Sequence, residues 1–263
     1  MLHIVSRAPP HVSGPPVVFV HGACSTVWCW EEHYLDWFAA RGLPAYALDL
    51  RGHGASDGQE RLQSFGIRDY VDDVRQVVAG LPAAPVLVGH SMGGLVVQKY
   101  LERGTARAAV LLASCPTGGM ARDILRLAAR HPATFARALA ARRLSRIYTD
   151  EALVRTLLFT PTTPAPLIRR CMAQLCEESW RACRDMNIVL PYPAKVVAPV
   201  LVIGGALDQM ISAGSVRRTA AAYGAPCVVF PHMAHMLNVE PGWEEVATTI
   251  LDWVREIERR SPS

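Results

Sequence analysis

The pentapeptide Gly89-His90-Ser91-Met92-Gly93 sets a serine between glycines two positions to either side, directly after the apolar run Pro85–Val88. Gly94 and Leu95 then open an apolar helical pattern. A serine on so tight a strand–turn–helix junction projects its oxygen past the strand end, above a helix N-terminus. That placement suits attack on a carbonyl carbon and a covalent intermediate. The plainer reading is a glycine-rich turn that carries a serine by chance; the strand before it and the helix after it favour the nucleophile. This chemistry needs no metal and no organic cofactor, and none is expected. Cys171, Cys176 and Cys183 lie close together, but their spacing matches no common zinc pattern.

The chain here resembles the α/β-hydrolase superfamily. The likeness rests on Gly89-His90-Ser91-Met92-Gly93-Gly94, on His21-Gly22, on Asp49 to Ser56 (Asp-Leu-Arg-Gly-His-Gly-Ala-Ser), and on the late Asp208 and His235. It is similar above all to the lysophospholipase, monoacylglycerol-lipase and small-carboxylesterase branch. The resemblance implies that the acid and then the histidine follow the serine along the chain. Asp208 follows the run Val200–Ile203 through Gly204-Gly205 and is the expected acid; Asp123, after the preceding strand, is a weaker alternative. His235, five residues before Glu240-Pro241, is the expected base, although Ala234 stands where a glycine is usual. His232 comes too early for that pattern. His53 and His90 are read as structural, with His90 pointing away from the base. The oxyanion hole is expected from the backbone N–H groups of Met92 and Ala23, with Cys24 as the fallback for Ala23. His21 is expected to bond neighbouring loops rather than react.

These residues must be held by a frame. Val17–Val20, Ala45–Leu50, Val86–Val88, Ala109–Ala113, Val200–Ile203 and Cys227–Phe230 are continuous apolar runs without alternation, as in strands buried on both faces. Helical patterns fall between them at 31–41, 68–79, 93–101, 212–223 and 243–257. Alternation of the two predicts an α/β fold, with a mostly parallel central sheet flanked by helices. The stretch from 117 to 187 breaks the rhythm and is helical throughout, about four helices by pattern. It predicts a helical cap inserted late in the sheet, with residues 1–116 and 188–263 forming the core domain. Leu157, Phe159 and Met172 of this insertion, with Trp28, are the expected substrate-binding side chains; each would serve equally well in plain packing.

Seven scattered cysteines suit reduced thiols, and the start of the chain is too short and polar for a signal peptide, so a cytoplasmic location is expected. A net charge of +4 with no basic motif argues against nucleic acid as a partner. The charge is uneven: residues 121–187 hold twelve Arg, no Lys and six acidic residues, a balance of +6 against −2 elsewhere. The plainer meaning is solvated helix faces, with Arg126, Arg130 and Arg137 as an exposed stripe. The other is weak contact with an anionic lipid surface. The expected function is cleavage of a small or lipid-like apolar carboxylic ester, a small molecule being the one partner implied. A non-hydrolytic receptor, a lyase, a haloperoxidase or an acyltransferase are the alternatives on the same fold. An epoxide hydrolase or dehalogenase is disfavoured, since the resemblance places aspartate in those enzymes where Ser91 stands here. Oligomeric state is not encoded in any of these patterns.

Overall fold

The computed structural model describes residues 1–133, 136 and 148–260. Seven strands form one sheet in the order β1-β3-β2-β4-β5-β6-β7: β1 (Ile4–Arg7), β2 (Val17–Val20), β3 (Ala45–Leu48), β4 (Val86–His90), β5 (Ala108–Leu112), β6 (Val200–Gly205) and β7 (Cys227–Phe230). All neighbours run parallel except β1, which pairs antiparallel with β3. Every residue of β2, β4 and β5 is buried. Their side chains alternate between two cores: Val17, Phe19, Val86 and Val88 pack into one layer, and Val18, Val20 and Leu87 into the other. Burial on both faces is why these runs carry no polar side chain but His90, at the end of β4.

Helices cover both faces: α1 (Trp28–Glu31), α2 (Tyr34–Ala39), α3 (Ile67–Ala79), α4 (Met92–Leu101), α9 (Ala213–Tyr223) and α10 (Trp243–Arg260). Between β5 and β6 lie α5 (Ala121–Arg130), α6 (Glu151–Leu158), α7 (Ala165–Ala173) and α8 (Trp180–Ile188). The helix expected over 31–41 is broken in two. His33, between the halves, stacks on Trp243 of α10 with ring centroids 4.3 Å apart and planes at 3°.

The strand order sets the site. After β2 the chain builds outward to β3, then returns to place β4 on the other side of β2. The carboxyl ends of β2 and β4 therefore diverge at a topological switch point, where open α/β sheets leave room for a ligand. Val20 of β2 is level with Gly89 of β4, so His21-Gly22-Ala23 emerges beside Ser91.

Candidate active site

Ser91 stands at φ +52°, ψ −117°, between the end of β4 and the start of α4. Cys24 and Ala113, at the ends of the flanking β2 and β5, are the other two non-glycine residues at positive φ among those described. Strain of this kind persists only where surrounding bonds over-determine it. Ser91 N–H donates to the Leu112 carbonyl at 3.0 Å, and its own carbonyl accepts from Cys115 N–H at 3.0 Å. The glycines are steric necessities. A Cβ on Gly89 would come 2.5 Å from the Gly93 carbonyl oxygen, and one on Gly93 would strike the carbonyls of Val20 and His21. A Cβ on Gly22 would lie 2.9 Å from that of Ser91, so the β2 loop passes directly against the serine.

The structure brings His235 and Asp208 together. The His235 Nδ1–H donates to Asp208 Oδ2 at 2.8 Å, which leaves Nε2 as the acceptor. Asp208 Oδ1 accepts from the backbone N–H groups of Met210 at 2.7 Å and Ile211 at 2.9 Å. Both side chains are nearly sealed from solvent, Asp208 at 0% and His235 at 6% exposure. Asp123, the alternative acid, is engaged elsewhere. It accepts from Ser212 N–H at 3.1 Å and Ser215 O–H at 2.5 Å, at the N-terminus of α9. His232 pairs with Glu245 at 3.1 Å on the surface.

Met92 is the first residue of α4, so its N–H belongs to the first helical turn, which has no partner within the helix. Ala23 lies on the loop against Ser91. The N–H of Cys24, the fallback donor, is directed instead to Glu178 Oε2, at 3.4 Å. His21 has the structural role expected of it: its Nδ1–H donates to the Gly22 carbonyl at 2.8 Å and its Nε2 accepts from Leu50 N–H at 3.0 Å.

His90 departs from expectation. Its ring lies 4.8 Å from that of His235, and its Nε2–H donates to the His235 carbonyl at 3.0 Å. Burial, then the neighbouring His235, pushes its pKa down to about 3, so the ring is neutral. His90, the last residue of β4, therefore faces the base loop rather than pointing away from it.

A cavity of about 380 Å³ opens over Ser91, His90 and His235, walled by Ala23, Leu127, Leu158, Trp180, Met186 and Met210 among others. Cys24, Cys115 and Cys183 also border it, and burial raises all three thiols, Cys115 to about 12. The four expected substrate-binding residues need correction. Trp28, Leu157, Phe159 and Met172 are absent from the cavity wall. They pack in or against the core beneath α6 and α7. Leu158, one residue from each of two of them and part of the same core, borders the cavity as well. Periodicity marks an apolar face without saying whether it meets a ligand or a sheet. Sequence reasoning also passed over Glu178, a buried carboxylate whose side-chain partners His53 and Tyr70 lie more than 100 residues away in the chain.

The insertion grips the base loop and the acid loop of the site. The Leu158 carbonyl accepts from the N–H groups of His235 at 3.1 Å and Met236 at 3.0 Å. Arg126 and Arg130 of α5 donate to the Gln209 backbone carbonyl at 2.8 Å and its side-chain oxygen at 2.6 Å, next to Asp208. These two arginines are thus latches rather than a free stripe; Arg137 lies outside the described residues. Arg170 pairs with Glu32 and Arg181 with Asp69, so part of the insertion's positive charge meets acids of the sheet domain. No described helix is long and apolar enough to cross a membrane.

A family model described as "Alpha/beta hydrolase family" matches residues 17–249. Among curated relatives, the chain is 35% identical over 105 residues to a monoacylglycerol lipase of Mycolicibacterium smegmatis, covering 38% of this chain and 37% of that protein. It is 32% identical over 100 residues to an epoxide hydrolase B of Mycobacterium tuberculosis, covering 38% and 28%. The chain thus spans well under half the length of either relative. An esterase from Exiguobacterium antarcticum superposes with a TM-score of 0.76 at 19% identity, over 97% of this chain and 95% of that one.

Proposed function

Because the chain belongs to the alpha/beta hydrolase family, we propose that it is a serine hydrolase of carboxylic esters with an apolar acyl or alcohol group of modest size. What supports this is that Ser91, on its strained elbow, and His235, hydrogen-bonded to Asp208, line the same apolar cavity. His235 Nε2 takes the Ser91 proton as the oxygen attacks the carbonyl carbon, and Asp208 stabilises the imidazolium. The amides of Ala23 and Met92 hold the oxyanion. The leaving alcohol takes the proton from His235, and water then repeats the sequence to release the acid.

The helical segment 117–187 serves as the cap over this site. The cavity size and its methionine and leucine walls support short or medium aliphatic and aryl groups over sugars. Epoxide opening, the activity in one relative's name, is not the reading favoured here, since the elbow carries a hydroxyl rather than a carboxylate. The test is steady turnover of p-nitrophenyl esters of increasing chain length. Turnover is expected for wild type and loss of at least about a thousandfold in kcat for a folded Ser91→Ala. Turnover by Ser91→Ala at the wild-type rate overturns the mechanism.

A further inference from the structure

Glu178 is fully buried in the stretch that leads into α8. Its Oε1 accepts from the Tyr70 hydroxyl at 2.8 Å and from Ser179 N–H at 2.8 Å. Its Oε2 accepts from His53 Nε2–H at 3.0 Å and, more weakly, from Cys24 N–H at 3.4 Å. His53 gives its other proton, on Nδ1, to the Arg51 carbonyl at 3.2 Å, so both ring nitrogens donate and the ring is an imidazolium. Burial opposes that charge, but Glu178 outweighs it and holds His53 above its ordinary range. Burial likewise opposes the carboxylate, and His53 with the donated bonds holds Glu178 below its ordinary range. Four donors converge on two oxygens, an arrangement that a carboxylate satisfies and a carboxamide does not.

The same strap holds the other side of Cys24. Cys176 N–H donates to the Cys24 carbonyl at 3.0 Å, and the Cys176 thiol to the Ser25 carbonyl at 3.4 Å. Cys24 is the residue at φ +58° that turns the β2 loop immediately after Ala23. Both backbone polar groups of this strained residue are therefore bound by residues 176–178 of the insertion. The ion-paired form matters too. A lone buried carboxylate here would oppose negative charge developing at the serine, and the His53 imidazolium offsets it.

We infer that Glu178 is a positioning residue for the oxyanion hole: its carboxylate, delivered by the insertion, fixes Cys24 and thereby the aim of the Ala23 amide. This rests on the ester-hydrolase reading of Ser91. Fluorophosphonate labelling of Ser91, followed by intact mass, tests it without a known substrate. The serine oxygen attacks phosphorus, fluoride leaves, the serine proton passes to His235, and the phosphoryl oxygen occupies the oxyanion position.

Glu178→Gln turns an acceptor into an N–H donor facing donors. It is expected to slow labelling by about tenfold or more, and to lower kcat on p-nitrophenyl esters by a similar factor with KM little changed. Ile250→Val, in the buried face of α10, supplies a destabilised control that labels at the wild-type rate. Glu178→Asp keeps the charge but withdraws it by one methylene, with a smaller slowing of a few fold expected. A folded Glu178→Gln that labels within about twofold of wild type overturns the inference, as does such a Glu178→Asp where the Gln variant does not fold. If wild type labels at Ser91 but turns over no ester, the ester reading fails while the labelling comparison still decides the role of Glu178.

Discussion

The two oxygens of Asp208 do different jobs. Oδ1 is pinned by two backbone amides, and Oδ2 faces His235 Nδ1. In Asp208→Asn the amides keep the carbonyl oxygen, so the new NH2 group must face the imidazole. His235 then becomes an acceptor at Nδ1 and carries its proton on Nε2, where it no longer accepts one from Ser91. We expect kcat on p-nitrophenyl esters to fall by about 10³–10⁴ with the circular dichroism spectrum unchanged. A loss under tenfold counts against the orienting role. At this scale the sequence was most informative where spacing carries meaning: Ser91 between its glycines, Asp208 after β6, His235 ahead of Glu240-Pro241. It was silent on Glu178. A carboxylate in Glu-Glu-Ser-Trp looks like solvated helix surface until the fold folds His53 and Tyr70 over it, and no local pattern encodes a partner so distant in the chain.

Elements, not single side chains, hold the loops in register. Glu240 shows how. Its Oε1 accepts from Ala234 N–H at 2.6 Å, and its Oε2 from Thr160 N–H at 3.0 Å, so one carboxylate ties the base loop to the end of α6. Ala234 occupies the position where a glycine was expected, and this bond secures the turn around it. Glu240→Gln sets an N–H against one of those amides. The expected cost is about 2 kcal/mol in urea unfolding, together with reduced turnover; a loss below about 0.5 kcal/mol would argue that the tie is idle. The buried parallel strands were legible because two-sided burial removes polar residues from them. The edge strand β1 was not. Ile4–Arg7 is half exposed, short and antiparallel, and nothing in its four residues separates it from a loop. The phase of α6 was equally hidden, since Leu157 and Leu158 are the same residue type and both reach the core, while Leu158 also borders the cavity.

For the molecule as a whole, the buried histidines set its tolerance of acid. Burial, then the neighbouring His53, lowers His21 to about 4, and burial, then His235, lowers His90 to about 3. Unfolded imidazoles bind protons below about pH 6.5, whereas these two refuse them until pH is far lower. The unfolded state therefore gains protons first, and stability falls as pH drops from about 6.5, by roughly 1 kcal/mol per pH unit for each ring. The raised His53 does not offset this slope, because its contribution is already complete below about pH 6.5 and is lost only as pH rises through its folded value. Glu178, lowered, adds a further loss below about pH 4.5. Urea midpoints measured from pH 6.5 to 4 should decline throughout; a flat profile would mean that the rings are solvated. The thiols along the cavity have a different consequence. Cys24, Cys115 and Cys183 stay protonated at neutral pH, and a protonated thiol is a poor nucleophile. On the proposed reading of Ser91 and His235, an electrophile that enters the chamber finds three sulfurs chemically quiet and one oxygen with a base to activate it, so the usual preference for sulfur over oxygen is expected to invert inside this wall.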